Sequence, residues 1–180
     1  KTSECITAFD KLGKNAVEII ENNPYILCEG DNRISFERAE QIADMLPNKP
    51  NSKYRIEAGV LYVVTYNFYN GHTCLPLEKL FVPSGDLLGE SRESIEIAID
   101  NLLSTKRLVC EKIGSRDFVF LPEAYHAEKS IAKRLNVLLK YPPENPIDVD
   151  KYITKIEKSS QIEYAEKQKE AIKTAVNKGI

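Results

Sequence analysis

No Cys-x-x-Cys pair, no long apolar run and no large excess of one charge occurs in these 180 residues. Each absence closes off a class of function. The four cysteines (Cys5, Cys28, Cys74, Cys110) are far apart and the two histidines, His72 and His126, stand alone. A tetrahedral metal site starts from ligand pairs on one turn, so metal binding is not expected. No apolar stretch approaches the ~20 residues of a membrane span, and no signal-peptide core follows Lys1. Reduced cytosolic thiols and a cytoplasmic location are the expectation, with the cysteines in core or half-buried positions. Lys and Arg number 25 against 27 Asp and Glu, a net charge of −2. A histone-like binder, whose affinity rests on neutralising many phosphates, is therefore excluded.

Catalytic motifs are also missing. There is no Gly-x-Ser-x-Gly, His-Glu-x-x-His, Gly-x-Gly-x-x-Gly or Gly-x-x-x-x-Gly-Lys-Ser/Thr. Ser84-Gly85-Asp86 reads as a turn. Glu93, Glu96 and Asp100 share one helix surface and read as a solvated face, because shifting a carboxyl pKa requires burial. No internal repeat and no low-complexity segment appears.

What is present is helical punctuation and a change of charge. Residues 1–150 carry 18 basic and 23 acidic groups, and 151–180 carry 7 and 4. Near the break, Tyr141-Pro142-Pro143-Glu144-Asn145-Pro146 reads as a linker, since proline removes amide donors and forces extended backbone. Upstream, 15–22 puts Ala16, Val17, Ile19 and Ile20 on one face and stops before Pro24. A second helix follows an N-cap at Ser35, with Glu37 at the positive end of its dipole and Phe36, Ala39, Ile42, Ala43 and Leu46 at helical spacing.

Residues 54–140 read as a second unit. Ile56, Val60, Val63, Val64 and Phe68 predict a helix ending at Asn70-Gly71. His72–Leu75 reads as a short strand, with Pro76 opening a brief helix. Ser91 caps a helix burying Ile95, Ile99, Leu102 and Leu103. Leu108–Ile113 and Phe118–Leu121 pair as a hairpin around Gly114-Ser115-Arg116-Asp117. A last helix, about 123–140, is expected to bury Ala127, Ile131, Leu135, Leu138 and Leu139. Helix, strand, helix, helix, hairpin is the order of a winged helix. Segment 147–180 holds two amphipathic stripes, one of Val149, Ile153 and Ile156 and one of Ala165, Gln168, Ala171, Ile172, Ala175 and Val176.

DNA contacts are expected at Lys14, at Arg33 in the turn ahead of Ser35, and at Lys112 and Arg116 on the hairpin. The helix after Ser91 carries Arg92, Glu93, Glu96 and Asp100; its acids repel phosphates, so packing is its better reading.

Taken together, Leu12-Gly13-Lys14-Asn15-Ala16-Val17-Glu18-Ile19-Ile20, Asn23-Pro24-Tyr25-Ile26-Leu27, Ala58-Gly59-Val60-Leu61-Tyr62, Gly71-His72-Thr73-Cys74-Leu75-Pro76 and Leu121-Pro122-Glu123-Ala124-Tyr125 resemble the N-terminal region of RecD-like (RecD/TraA family) superfamily 1 DNA helicases. Glu166-Lys167-Gln168-Lys169-Glu170-Ala171-Ile172 is similar to the Gln-x-x-Ala-Ile element ahead of that family's Walker A strand.

The resemblance implies a mainly α (α+β) chain. It comprises a helix-hairpin-helix region over 1–50, a winged-helix-like domain over 51–141, the linker 142–146, and over 147–180 the first helices of a RecA-like ATPase domain. It implies the accessory region of an ATP-dependent 5′→3′ helicase, similar to an exodeoxyribonuclease V α-subunit and acting in recombination and repair. The partners implied are single-stranded DNA and the remaining motor domains, with no membrane. It also implies a cut piece of a longer protein. Gln168 matches the glutamine that contacts adenine; ATP and Mg belong to the intact protein, and the piece itself is expected to lack ATPase activity.

The family's hairpin carries glycines where Arg33 and Ser35 stand here. Only glycine reaches positive φ freely, so the substitutions weigh against an amide cradle for phosphate. The alternative reading is a non-enzymatic winged-helix DNA-binding or adaptor module.

Overall fold

The computed structural model describes residues 2–28, 34–142 and 147–178, with side chains from Cys5 onward. Arg33 and most of the expected proline linker lie outside the described residues. The chain divides into two compact units, Lys1–Tyr125 and His126–Ile180.

The first unit begins with α1 (Thr2–Leu12), a 3₁₀ turn (Gly13–Asn15), α2 (Ala16–Asn22) and a second 3₁₀ turn (Pro24–Cys28). α1 is a helix that the sequence reading did not single out. On α2, Ala16 is buried and Ile19 and Ile20 are half-buried, but Val17 is exposed, so the expected face is narrower. α3 (Phe36–Met45) starts as read: the Arg38 backbone N–H donates to Ser35 Oγ at 3.3 Å, supplying one of the four amides a helix start leaves open. Its own backbone amide, then the Ser35 hydroxyl, holds the Glu37 carboxyl below its usual range. Ala8, Leu27 and Ile34 form a small core that ties these elements together.

α4 (Ser52–Tyr69), β1 (Cys74–Pro76), α5 (Glu78–Leu88), α6 (Arg92–Ser104), β2 (Val109–Ile113) and β3 (Arg116–Phe120) follow. The order is the one the sequence predicts. The three strands form an antiparallel sheet ordered β1-β3-β2, with Leu75 opposite Val119 and Cys110 opposite the same residue. Ile113 faces Arg116, so the hairpin turn is Gly114-Ser115 alone, with Gly114 at φ +64°. Arg116 and Asp117, expected in the loop, belong to β3.

Two local readings need correction. Pro76 closes β1 instead of opening a helix, and α5 runs eleven residues with Pro83 inside it. Ser84-Gly85-Asp86 is consequently helical. Leu80, Phe81, Ser84 and Leu88 are its buried positions, so packing overrides the loss of one backbone hydrogen bond at proline. Ser84 Oγ is buried and has no hydrogen-bond partner among the described residues.

One main core joins both halves of this unit. Tyr25, Phe36, Ala39 and Ala43 pack in the same cluster as Val60, Leu80, Ile95, Leu102, Val119 and Ala124. The first fifty residues and those that follow thus share a core, and residue 50 marks no gap in the packing. α4 and α5 approach closely at Gly59, where an added Cβ would stand 2.5 Å from Leu88 Cδ2. That distance admits no side chain without repacking Leu88.

α7 spans Pro122–Lys140, and Ala124 is its buried residue. The face expected to be buried is open: Ile131 is 58% exposed and Leu139 62%, and Ala127, Leu135 and Leu138 are exposed too. In the second unit, α8 (Val149–Ser160) packs with α9 (Glu166–Lys178). Val149 and Ile153 are buried while Ile156 is exposed, and α9 buries no residue fully. Lys169 binds Glu157 at 3.2 Å and Lys173 binds Asp150 at 2.7 Å. Among the described residues, no helix is long and apolar enough to cross a membrane.

Candidate nucleic-acid and nucleotide contacts

The candidate residues fall on separate elements. Lys14 is exposed on the 3₁₀ turn between α1 and α2. Lys112 and Arg116 are exposed on β2 and β3, and Lys112 stands opposite Asp117, so an acid flanks that cation. Of the expected hairpin before α3, Arg33 is outside the described residues, while Ile34 is buried and Ser35 caps the helix. These two residues serve packing and capping.

On α6, Arg92 pairs with Glu78 at 3.0 Å and lies 4.1 Å over the Phe81 ring. Glu93, Glu96 and Asp100 are exposed. The surface of α6 is therefore acidic apart from a cation already engaged, which agrees with its reading as a packing helix.

Gln168 is exposed in the first turn of α9. Its Oε1 accepts from the Ala165 backbone N–H at 2.9 Å, and Gln168 N–H donates to the Ala165 carbonyl at 2.8 Å. The side chain closes the helix start as the N3 half of a capping box does, while Ala165, lacking a side-chain acceptor, returns only its backbone carbonyl. The same side chain carries an amide nitrogen as its donor. Pairing an adenine edge through both groups requires Oε1 to leave the cap. The sequence has no phosphate loop, and the described residues hold no group of three or more His, Cys, Asp or Glu able to bind a metal.

The cysteine expectation holds for half of the set. Cys28 and Cys74 are half-buried, but Cys5 and Cys110 are exposed. Partial burial, then Asp117, raises the Cys110 thiol pKa.

A feature that the sequence reading missed is an open groove of about 1110 Å³ in the first unit. Tyr62, Tyr66 and Tyr69, spaced four and three residues apart on α4, line it with Ser35, Asn70, Arg107 and Glu123. Tyr66 and Tyr69 are strongly exposed. Tyr25, Phe36, Tyr62 and Tyr66 form a continuous ring ladder, with centroids 5.8–6.3 Å apart. Arg107 binds the buried Glu57 at 2.8 Å, and Tyr62 donates its hydroxyl to Glu37 at 3.2 Å. Tyrosine spacing on α4 was the signal available in the sequence, but it is also the spacing of a packed helix face.

Residues 1–74 match the family model described as the HHH domain of the ATP-dependent RecD2 DNA helicase. The match covers α1 to the first residue of β1. It shows that this part of the chain is similar to the helix-hairpin-helix domain of that helicase.

Proposed function

We propose that the chain is the N-terminal accessory region of a RecD-like ATP-dependent DNA helicase, supporting a motor that moves 5′→3′ and guiding single-stranded DNA toward it. The observation that carries the reading is the match of residues 1–74 to the RecD2 helix-hairpin-helix domain. The element order and β1-β3-β2 sheet support a winged-helix reading of α4 to β3. On this reading, α8 and α9 open a RecA-like ATPase domain, Gln168 contacts the adenine once that domain is complete, and the protein acts in cytoplasmic DNA recombination and repair. ATP and Mg are then held largely by residues other than these.

Fluorescence anisotropy with a labelled single-stranded oligonucleotide tests the DNA part. The expected Kd is on the order of 10⁻⁴–10⁻⁶ M at physiological salt, weakening as salt rises. Absence of salt-dependent binding would remove DNA as a partner of this region.

A further inference from the structure

α8 separates its charges by side. Its two acids, Asp150 and Glu157, lie seven residues apart and are engaged by Lys173 and Lys169 of α9. Its three lysines, Lys151, Lys155 and Lys158, are spaced i, i+4, i+7, which puts them on one face. At 100° per residue that face points roughly opposite the buried Val149 and Ile153. All three lysines are exposed, and α9 draws the helix's acids away from them. The ridge runs about 10 Å along the axis at 1.5 Å per residue. That length spans about three phosphates of a strand rising ~3.4 Å per nucleotide.

We infer that Lys151, Lys155 and Lys158 form a phosphate-tracking ridge that binds the backbone of a DNA strand. The inference rests on the proposed DNA role and assigns it a place that composition hides. Over the whole chain the charge is −2, but residues 126–180 carry 11 basic against 8 acidic groups, and residues 1–125 carry 14 against 19. α9 neutralises the acids of α8, so the lysines act together as a local positive stripe. Ion pairing between the two helices thus does more than join them. Within Val149–Ser160 it leaves that side of α8 with lysines alone, Asp148 standing just ahead of the helix as its N-cap.

The test is anisotropy with labelled single-stranded DNA across a salt series. It compares the full chain with the triple variant Lys151→Gln/Lys155→Gln/Lys158→Gln and with the hairpin variant Lys112→Gln/Arg116→Gln. Glutamine matches lysine in helix propensity, so α8 is retained, and circular dichroism checks this. The ridge variant is expected to bind about tenfold or more weakly, with the slope of log K against log salt reduced by about 2. The triple Lys→Arg variant keeps both the affinity and the slope.

Wild-type binding with an unchanged slope in the ridge variant, or a loss confined to the hairpin variant, would overturn the ridge and leave the DNA role standing. No salt-dependent binding by the wild-type chain would overturn the DNA role itself, and the ridge with it.

Discussion

Glu40 shows how much of the first unit hangs on one carboxylate. Tyr25 donates its hydroxyl to Glu40 Oε1 at 2.6 Å, and Arg55 donates Nε and Nη2 to both oxygens at 2.9–3.1 Å. Arg55 Nη1 also donates to the Leu88 carbonyl at 2.9 Å, so the 3₁₀ turn at Pro24–Cys28, α3, α4 and α5 meet at one network. Burial pushes the Glu40 pKa up, but the Arg55 and Tyr25 donors outweigh it and hold the carboxyl below its ordinary 4.5. Burial, then Glu40, raises the Tyr25 phenol, so it stays protonated as a donor.

A carboxyl depressed in the folded state stabilises it above the unfolded pKa, and that stability is lost as pH falls through the folded value. Glu40→Gln is therefore expected to cost about 2 kcal/mol at neutral pH. The gap to wild type should shrink below about pH 4. Urea denaturation at both pH values measures it; an equal gap would mean that the charge is irrelevant. The sequence placed Glu40 on α3 but held no sign of this network, because its partners lie fifteen residues away in either direction.

Helices α6 and α7 have similar apolar periodicity and opposite fates. Ile95, Ile99 and Leu102 are buried at 0–3% exposure, whereas Leu135 and Leu138 of α7 are 42% and 44% exposed. Periodicity is a property of one helix and marks a face; burial needs a second surface to cover it. Ile95→Ala should destabilise by about 2–5 kcal/mol, since it opens a cavity in close-packed surroundings. Leu135→Ala should stay within about 0.5 kcal/mol, as exposed positions do. Thermal or urea unfolding followed by far-UV circular dichroism compares the two, and a large cost at Leu135 would mean that this face is covered in solution.

Helix starts were legible for a similar reason. Ser35 and Ser91 each accept from an amide three residues on, a contact that needs no distant partner. α5 was misread at Ser84-Gly85-Asp86 because those residues locally favour a turn, while four buried positions held the helix together.

At the scale of the whole chain, charge and missing motifs bear directly on activity. The sequence has no phosphate loop, and the described residues supply no metal-capable cluster. ATP turnover by the chain is therefore expected to be at background, with or without single-stranded DNA, in a phosphate-release assay. DNA-stimulated turnover would require a hydrolytic centre built from other residues.

By itself the sequence determined most of the helices and strands, α1 and the length of α5 apart, where most begin, and the apolar spacing along them, because these follow from caps, spacing and turn residues within a few positions. It also excluded the common catalytic motifs. Only the tertiary structure decided which faces are covered. It joined Tyr25 and Phe36 to Leu102 and Val119 in one core, left the α7 face open, and paired the acids of α8 with lysines of α9. Those outcomes depend on contacts between distant residues, and a local pattern does not encode the partner.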